Sequence, residues 1–263
     1  MSNFTAKDVQ KLRQATDAGM MDAKRALEAN DGDMERAAQW LREKGLAKVA
    51  KLSDRENSQG TVAVASTATA AALVELKSET DFSAKADDFV ELVSKLAQLV
   101  LEKGEAAIAE GQADIETLKI AKRENIELGK VARVDASEGS IIDTYLHRQD
   151  GRGVIGVIIE ASGVDQETLH ELALHCAFAK PRYLTRDEVP VEAIEKERNN
   201  LLEITKAEGK PEAAWPKIVD GRVNAWLAGQ VLLEQGVNGD KETVAQRIGS
   251  GRISRFAMAV IGS

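Results

Sequence analysis

The segment VARVDASEGSIIDTYLHRQDGRGVIGVIIEAS (residues 131–162) decides the class of fold. Short runs rich in Val, Ile, Thr and Tyr alternate with the breaks DASEGS and RQDGRG, so the segment reads as three strands joined by tight turns. On either side, strand-like and helix-like runs come in separate blocks. That grouping points to α+β with small antiparallel sheets, and away from an alternating α/β chain. The second break also has a chemical reading to dispose of. GRGVIG (151–156) matches the dinucleotide-binding spacing G-x-G-x-x-G, which functions where a helix N-terminus follows to receive a pyrophosphate. Here the β-rich VIIEAS follows, so a hairpin turn is expected.

Upstream, TVAVASTATAAALVELKSE (61–79) reads as two strands with a turn near Ser66–Thr69. From Ala84 to Lys103 the period becomes helical, with Phe89, Leu92, Val93, Leu96 and Val100 on one face, and a second helix is expected over 113–124. The polar stretch LSDRENSQG (52–60) reads as a linker. Before it, residues 1–54 read as three short helices. Thr5 and Asp8 have capping-box spacing, Gly19 is placed to end the first helix, Asp33 caps the third, and Gly45 is expected to stop it. The third helix would bury Ala37, Trp40 and Leu41. A module this small has a thin core and reads as an interaction module.

Downstream, residues 188–228 are two charged helical stretches around EGKP (208–211). Val191, Ile194, Leu201 and Ile204 would line one arm, and Ile218, Val219, Val223 and Trp226 the other. Pro216 is expected to mark the true start of the second arm or a kink in it. The result is a projecting antiparallel helical hairpin. The expected organisation is therefore a three-helix docking module (1–54), a core subdomain (55–140), a second core subdomain (141–187 and 229–263), and the hairpin inserted in it (188–228).

Composition limits the chemistry. The chain has 263 residues, 35 Lys and Arg against 43 Asp and Glu, and a net charge of −8, which argues against a nucleic-acid binder. The single Cys176 excludes an intramolecular disulfide and fits a reducing cytoplasm. The N-terminus has no apolar signal core and no run reaches the ~20 residues of a membrane span. HELALH (170–175) resembles a zinc-protease motif with one residue too many. Two histidines five apart on a helix diverge by about 140°, so they cannot share a metal. No phosphate loop, nucleophile elbow or cysteine cluster is present, so no enzyme is expected.

One stretch resists a packing explanation. In SETDFSAKADDF (78–89) a carboxylate, Asp81, and a large aromatic, Phe82, sit side by side at a strand-to-helix junction. Asp81 could cap the following helix, and Phe82, seven residues before Phe89, could share its buried face. With Ser83 as cap, however, the staple position is Asp87, which gives Phe82 no apolar partner. An exposed tip is the other reading.

LRQATDAGMMDAKRAL (12–27) and ELKSETDFSAK (75–85) resemble the two signature stretches of bacterial elongation factor Ts. EGKP, KIVDGR and LLEQ (208–235) extend the likeness, and His175, Lys180, Pro181 and Leu184 fit HxxxxKPxxL. The resemblance implies a guanine-nucleotide exchange factor for elongation factor Tu, in the cytoplasm, as a heterodimer or a complex of two plus two. It implies no cofactor on this chain, GDP, GTP and Mg²⁺ being bound by the partner. Thr80, Asp81, Phe82 and Ser83 match the loop that disturbs the partner's Mg²⁺ site. Leu12, Met20, Met21, Lys24, Ile126, His147 and His175 match partner contacts. The chain departs from the family at Lys77, where Asn is usual, and at Ser83, where Val is usual, reducing the loop's apolar footing. It also stops at RFAMAVIGS, where some members add a contacting helix. A non-catalytic adaptor is the alternative, since the three-helix module also resembles ubiquitin-associated domains.

Overall fold

The computed structural model describes residues 3–16 and 18–262; Asp17, within LRQATDAGMMDAKRAL, lies outside them. Helices α1 (Ala6–Thr16), α2 (Met20–Ala29) and α3 (Met34–Val49) form the N-terminal module. The capping box is closed: the Thr5 N–H donates to Asp8 Oδ2 at 2.8 Å and the Asp8 N–H to Thr5 Oγ1 at 3.3 Å. Asp33 Oδ1 accepts from the Glu35 and Arg36 N–H groups, both at 3.0 Å. Val9, Leu12, Ala23, Ala26, Leu27 and Ala37 close a small core, with Trp40 and Leu41 packed on its edge.

Two of the glycine expectations fail. Gly19 does not end α1; it is the N-cap of α2. Gly45 lies inside α3, which runs on to Val49. A Cβ there would lie 2.8 Å from Ile120 Cγ2 of α6 (Gln112–Lys122), so the glycine lets two helices approach rather than ending one.

The core is a four-layer stack. Strands β1 (Gln59–Ser66), β2 (Ala70–Ser78) and β3 (Glu127–Asp135) form one antiparallel sheet. Strands β4 (Ser140–Gln149), β5 (Arg152–Ser162) and β6 (Arg252–Val260) form the other. The three-strand reading of residues 131–162 thus holds strand by strand, but β3 pairs with β2 and not with β4. The Asp150–Gly151 turn, with positive φ at both residues, joins β4 to β5, so GRGVIG is a hairpin.

On β2, Ala72, Val74 and Leu76 face α5 (Asp87–Lys103), while Ala71 and Leu73 face the second sheet. On β5, Val157, Ile159 and Ala161 face α7 (Gln166–Ala179), and Ile158 faces the first sheet. Both central strands are covered on two sides, which is why their sequences run apolar with little alternation. The sheets meet closely at glycine: a Cβ on Gly153 would lie 2.1 Å from the Val62 carbonyl oxygen, and one on Gly156 2.6 Å from Val62 Cγ1.

Helices α8 (Val191–Ala207) and α9 (Trp215–Gln230) make the antiparallel hairpin, with Pro216 in the first turn of α9. Ile194, Leu201 and Leu202 pack against Val219, Val223 and Leu227. The expected seam is corrected in part, because Val191 and Ile204 are exposed and Thr205 takes the inward position. At the base, the Arg182 and Tyr183 N–H groups donate to the Gln230 carbonyl at 2.9 and 3.1 Å. Helix α10 (Val244–Ile248), with a complete Thr243–Gln246 capping box, precedes β6.

Candidate functional site

Strand β2 ends at Ser78, and the chain then turns outward. Thr80 is the N-cap of a single helical turn, α4 (Asp81–Ala84), its side chain accepting from the Ser83 N–H at 3.3 Å. Lys85 and Ala86 then separate α4 from α5, whose N-cap is Ala86. The helical face expected from Ala84 onward therefore starts only at Asp87, and Ser83 is not a cap but the buried third residue of α4. That break sends the two phenylalanines in opposite directions. Phe89 is 0% exposed and Phe82 is 76% exposed. Phe82 is a tip, not core.

The tip is held from both sides. Outside, Lys85 Nζ lies 3.0 Å from Asp81 Oδ2 and 4.5 Å from the centre of the Phe82 ring. Its hydrogen bond holds the Asp81 carboxyl below the usual range, so the group is a carboxylate at neutral pH. Inside, Glu124 accepts from the Thr80 hydroxyl at 2.7 Å, the Thr80 N–H at 3.2 Å and the Ser83 hydroxyl at 2.7 Å. Thr61 Oγ1 donates to the Ala84 carbonyl at 2.6 Å. Ser83 thus rests on a polar footing. The neighbouring Glu79 carboxylate accepts from the Asn125 N–H at 2.6 Å and is paired with Arg55 at 3.4 Å. The Asn125 amide donates to the Ser53 and Arg55 carbonyls at 3.2 and 2.8 Å, tying the linker to the base of the tip.

Sequence reasoning missed Glu124, Asn125, Glu79 and Lys85 as parts of this site. The available signal was the pair Glu124–Asn125, two polar residues between a helix and a buried Ile126 at the start of a strand. Only the fold shows that they lie under residues 79–83, more than forty positions earlier.

The remaining predicted positions divide cleanly. Met20 and Met21 are exposed at the start of α2, at 53% and 58%, and Lys24 pairs with Glu28 at 3.5 Å one turn on. His147 is exposed near the end of β4, with its Nδ1 3.3 Å from the Tyr145 hydroxyl. Leu12, Ile126 and His175 are buried within this chain. Leu12 is buried in the three-helix core and Ile126 in the core beneath α5. His175 is buried on α7, its Nδ1 accepting from the Asn238 N–H at 3.1 Å and its Nε2 3.1 Å from Gln235 Oε1. His170, at the other end of HELALH, points instead to Asp143 at 3.2 Å. Among the described residues, no group of three His, Cys, Asp or Glu side chains is placed to hold a metal ion.

The family model described as Elongation factor TS matches residues 79–263, starting at the tip. The chain belongs to the elongation factor Ts family. Curated relatives extend the match through the N-terminal module. The Elongation factor Ts of Paenarthrobacter aurescens is 39% identical, covering 94% of this chain and 93% of the relative. That of Saccharopolyspora erythraea is 42% identical over 93% and 92%, and that of Mycobacterium avium 39% identical over 100% and 99%. Membership of the elongation factor Ts family makes this chain a translation elongation factor. Among the described residues, no helix is long and apolar enough to cross a membrane.

Proposed function

We propose that the protein is a guanine-nucleotide exchange factor for elongation factor Tu, acting by binding and without chemistry of its own. The observation that carries this reading is the anchored tip: a carboxylate and a bare aromatic ring presented at the end of a sheet by a one-turn helix. A factor of this kind accelerates release by favouring a partner state that holds GDP poorly. Phe82 is the wedge that separates elements of the partner's nucleotide domain. Asp81, kept ionised by Lys85, brings negative charge towards the groups that organise the partner's Mg²⁺ and phosphates. GDP, GTP and Mg²⁺ stay on the partner. By linkage, GDP and this chain weaken each other's binding by the same factor. The exposed Met20–Met21 pair offers an adaptable apolar contact for docking the N-terminal module. The setting is the cytoplasm, in a heterodimer or a complex of two plus two.

The test is release of a fluorescent GDP from elongation factor Tu with unlabelled nucleotide in excess. Wild-type chain is expected to accelerate release strongly. Phe82→Ala is expected to lose most of that acceleration while keeping the same unfolding midpoint. Binding by wild type with no acceleration would establish the adaptor instead.

A further inference from the structure

We infer that Glu124 is a positioning residue for the exchange tip, fixing the direction in which Phe82 and Asp81 point; the inference rests on the exchange reading above. Its two oxygens take three donors, all from the tip's N-cap and inner face. Oε1 accepts both the Thr80 and Ser83 hydroxyls at 2.7 Å, and Oε2 accepts the Thr80 N–H at 3.2 Å. Among the described residues no cation pairs with Glu124, so those oxygens serve the tip alone. Hydrogen bonds to a charged acceptor are about twice as strong as neutral ones.

The tip needs such an anchor. Helix α4 is four residues long, far below the length at which a helix holds itself in water. Its outward side chain has no packing to restrain it, because Phe82 is 76% exposed. Ser83 is buried beneath it, and its hydroxyl must find an acceptor there. Lys85 restrains the ring only from the solvent side, through contacts that water screens. Glu124 is the inner restraint. It sits just past the left-handed Arg123 that ends α6, and the adjacent Asn125 is locked by Glu79 and the linker carbonyls. A wedge that pivots under load transmits no displacement, whereas one clamped at its N-cap does.

The consequence separates two kinetic quantities. Docking through the N-terminal module is untouched by Glu124, while the work of the tip is done only as the nucleotide site opens. Loss of Glu124 therefore lowers the maximal rate of GDP release and leaves the half-saturating concentration of the chain nearly unchanged. The experiment measures GDP release from elongation factor Tu against chain concentration, with thermal unfolding of each variant.

Glu124→Ala is expected to lower the maximal rate by roughly tenfold, with half-saturation within about twofold of wild type. Glu124→Gln keeps an acceptor for both hydroxyls and is expected to return the rate to within about threefold. Ser83→Ala is expected to cost about threefold in the wild-type background and nothing further beside Glu124→Ala. An unchanged maximal rate in Glu124→Ala, with wild type active, overturns this inference and leaves the exchange reading standing. A loss that follows the unfolding midpoint and is not restored by Gln overturns it also. A wild-type chain that fails to accelerate release overturns the exchange reading and this one with it. Should Glu124→Ala not fold, Ser83→Ala and Glu124→Gln carry the test: losses that overlap in the double variant uphold the shared anchor, and losses that multiply overturn it.

Discussion

Phe82 and Phe89 lie seven residues apart and have opposite fates, which makes them a paired test. Phe89 fills the core between the first sheet and α5, so Phe89→Ala is expected to cost ~3–5 kcal/mol in denaturant unfolding. Phe82→Ala, removing an exposed ring, is expected to stay within ~0.5 kcal/mol. His175 gives a second residue-scale prediction. Because its Nδ1 accepts from Asn238, it is held neutral with the proton on Nε2. Burial pushes its pKa below the ordinary 6.5, against smaller opposing effects of Gln235 and Glu171, the latter already bonded to Arg247. A depressed folded pKa means that its stabilisation is complete above the unfolded value of ~6.5 and is lost as pH falls below it, through the lower folded pKa. His175→Gln should therefore flatten the decline of the unfolding midpoint as pH falls below about 6.5. Cys176, on the same helix, is buried with its thiol pushed up to about 12, so iodoacetamide should label it only once the chain unfolds.

At the scale of elements, glycines decide how closely layers approach, and their replacements should differ by what they strike. A Cβ at Gly45 meets the Ile120 side chain, with Cγ2 at 2.8 Å and Cγ1 and Cδ1 at 3.0 Å, so a β-branched side chain must shift as a whole. Gly45→Ala offsets part of that strain with about 1 kcal/mol of helix propensity, so it should cost less than the change at Gly153. A Cβ at Gly153 meets the backbone carbonyl of Val62 at 2.1 Å, which cannot yield without moving a strand. Gly153→Ala is expected to cost about 1–3 kcal/mol. Comparing the two variants by denaturant unfolding checks the distinction. The helical hairpin carries its own small core and its own tip contacts, with the Arg222 guanidinium on Glu208 at 2.7 and 2.8 Å and on Thr205 Oγ1 at 3.1 Å.

Across the whole molecule, the N-terminal module has its own core and meets the rest of the chain chiefly where α3 lies on α6, supported by the Arg42–Glu116 pair at 3.5 Å. The two sheets share the buried layer between them, and each packs a second layer beneath its covering helix. A chain truncated to begin at Ser53, which keeps the linker carbonyls under the tip, is therefore expected to keep a cooperatively folding core. It should need a higher concentration to half-saturate GDP release while losing less of the maximal rate. Circular dichroism melting and the exchange assay read the two effects separately.

The sequence by itself determined which segments become strands and which helices, because periodicity is a local property. It set the α+β class and the hairpin at Asp150–Gly151 in place of a dinucleotide loop, and it placed Pro216 near the start of α9 or at a kink in it. It also marked Asp81–Phe82 as a pair in want of a packing role. It could not decide that β3 joins β2, that Gly45 and Gly153 mark close approaches, or that Leu12, Ile126 and His175 face inward. Least of all could it place Glu124 under Thr80 and Ser83. Those outcomes depend on which distant surfaces bury one another, and no pattern within a short window records a hydrogen bond closed over more than forty residues.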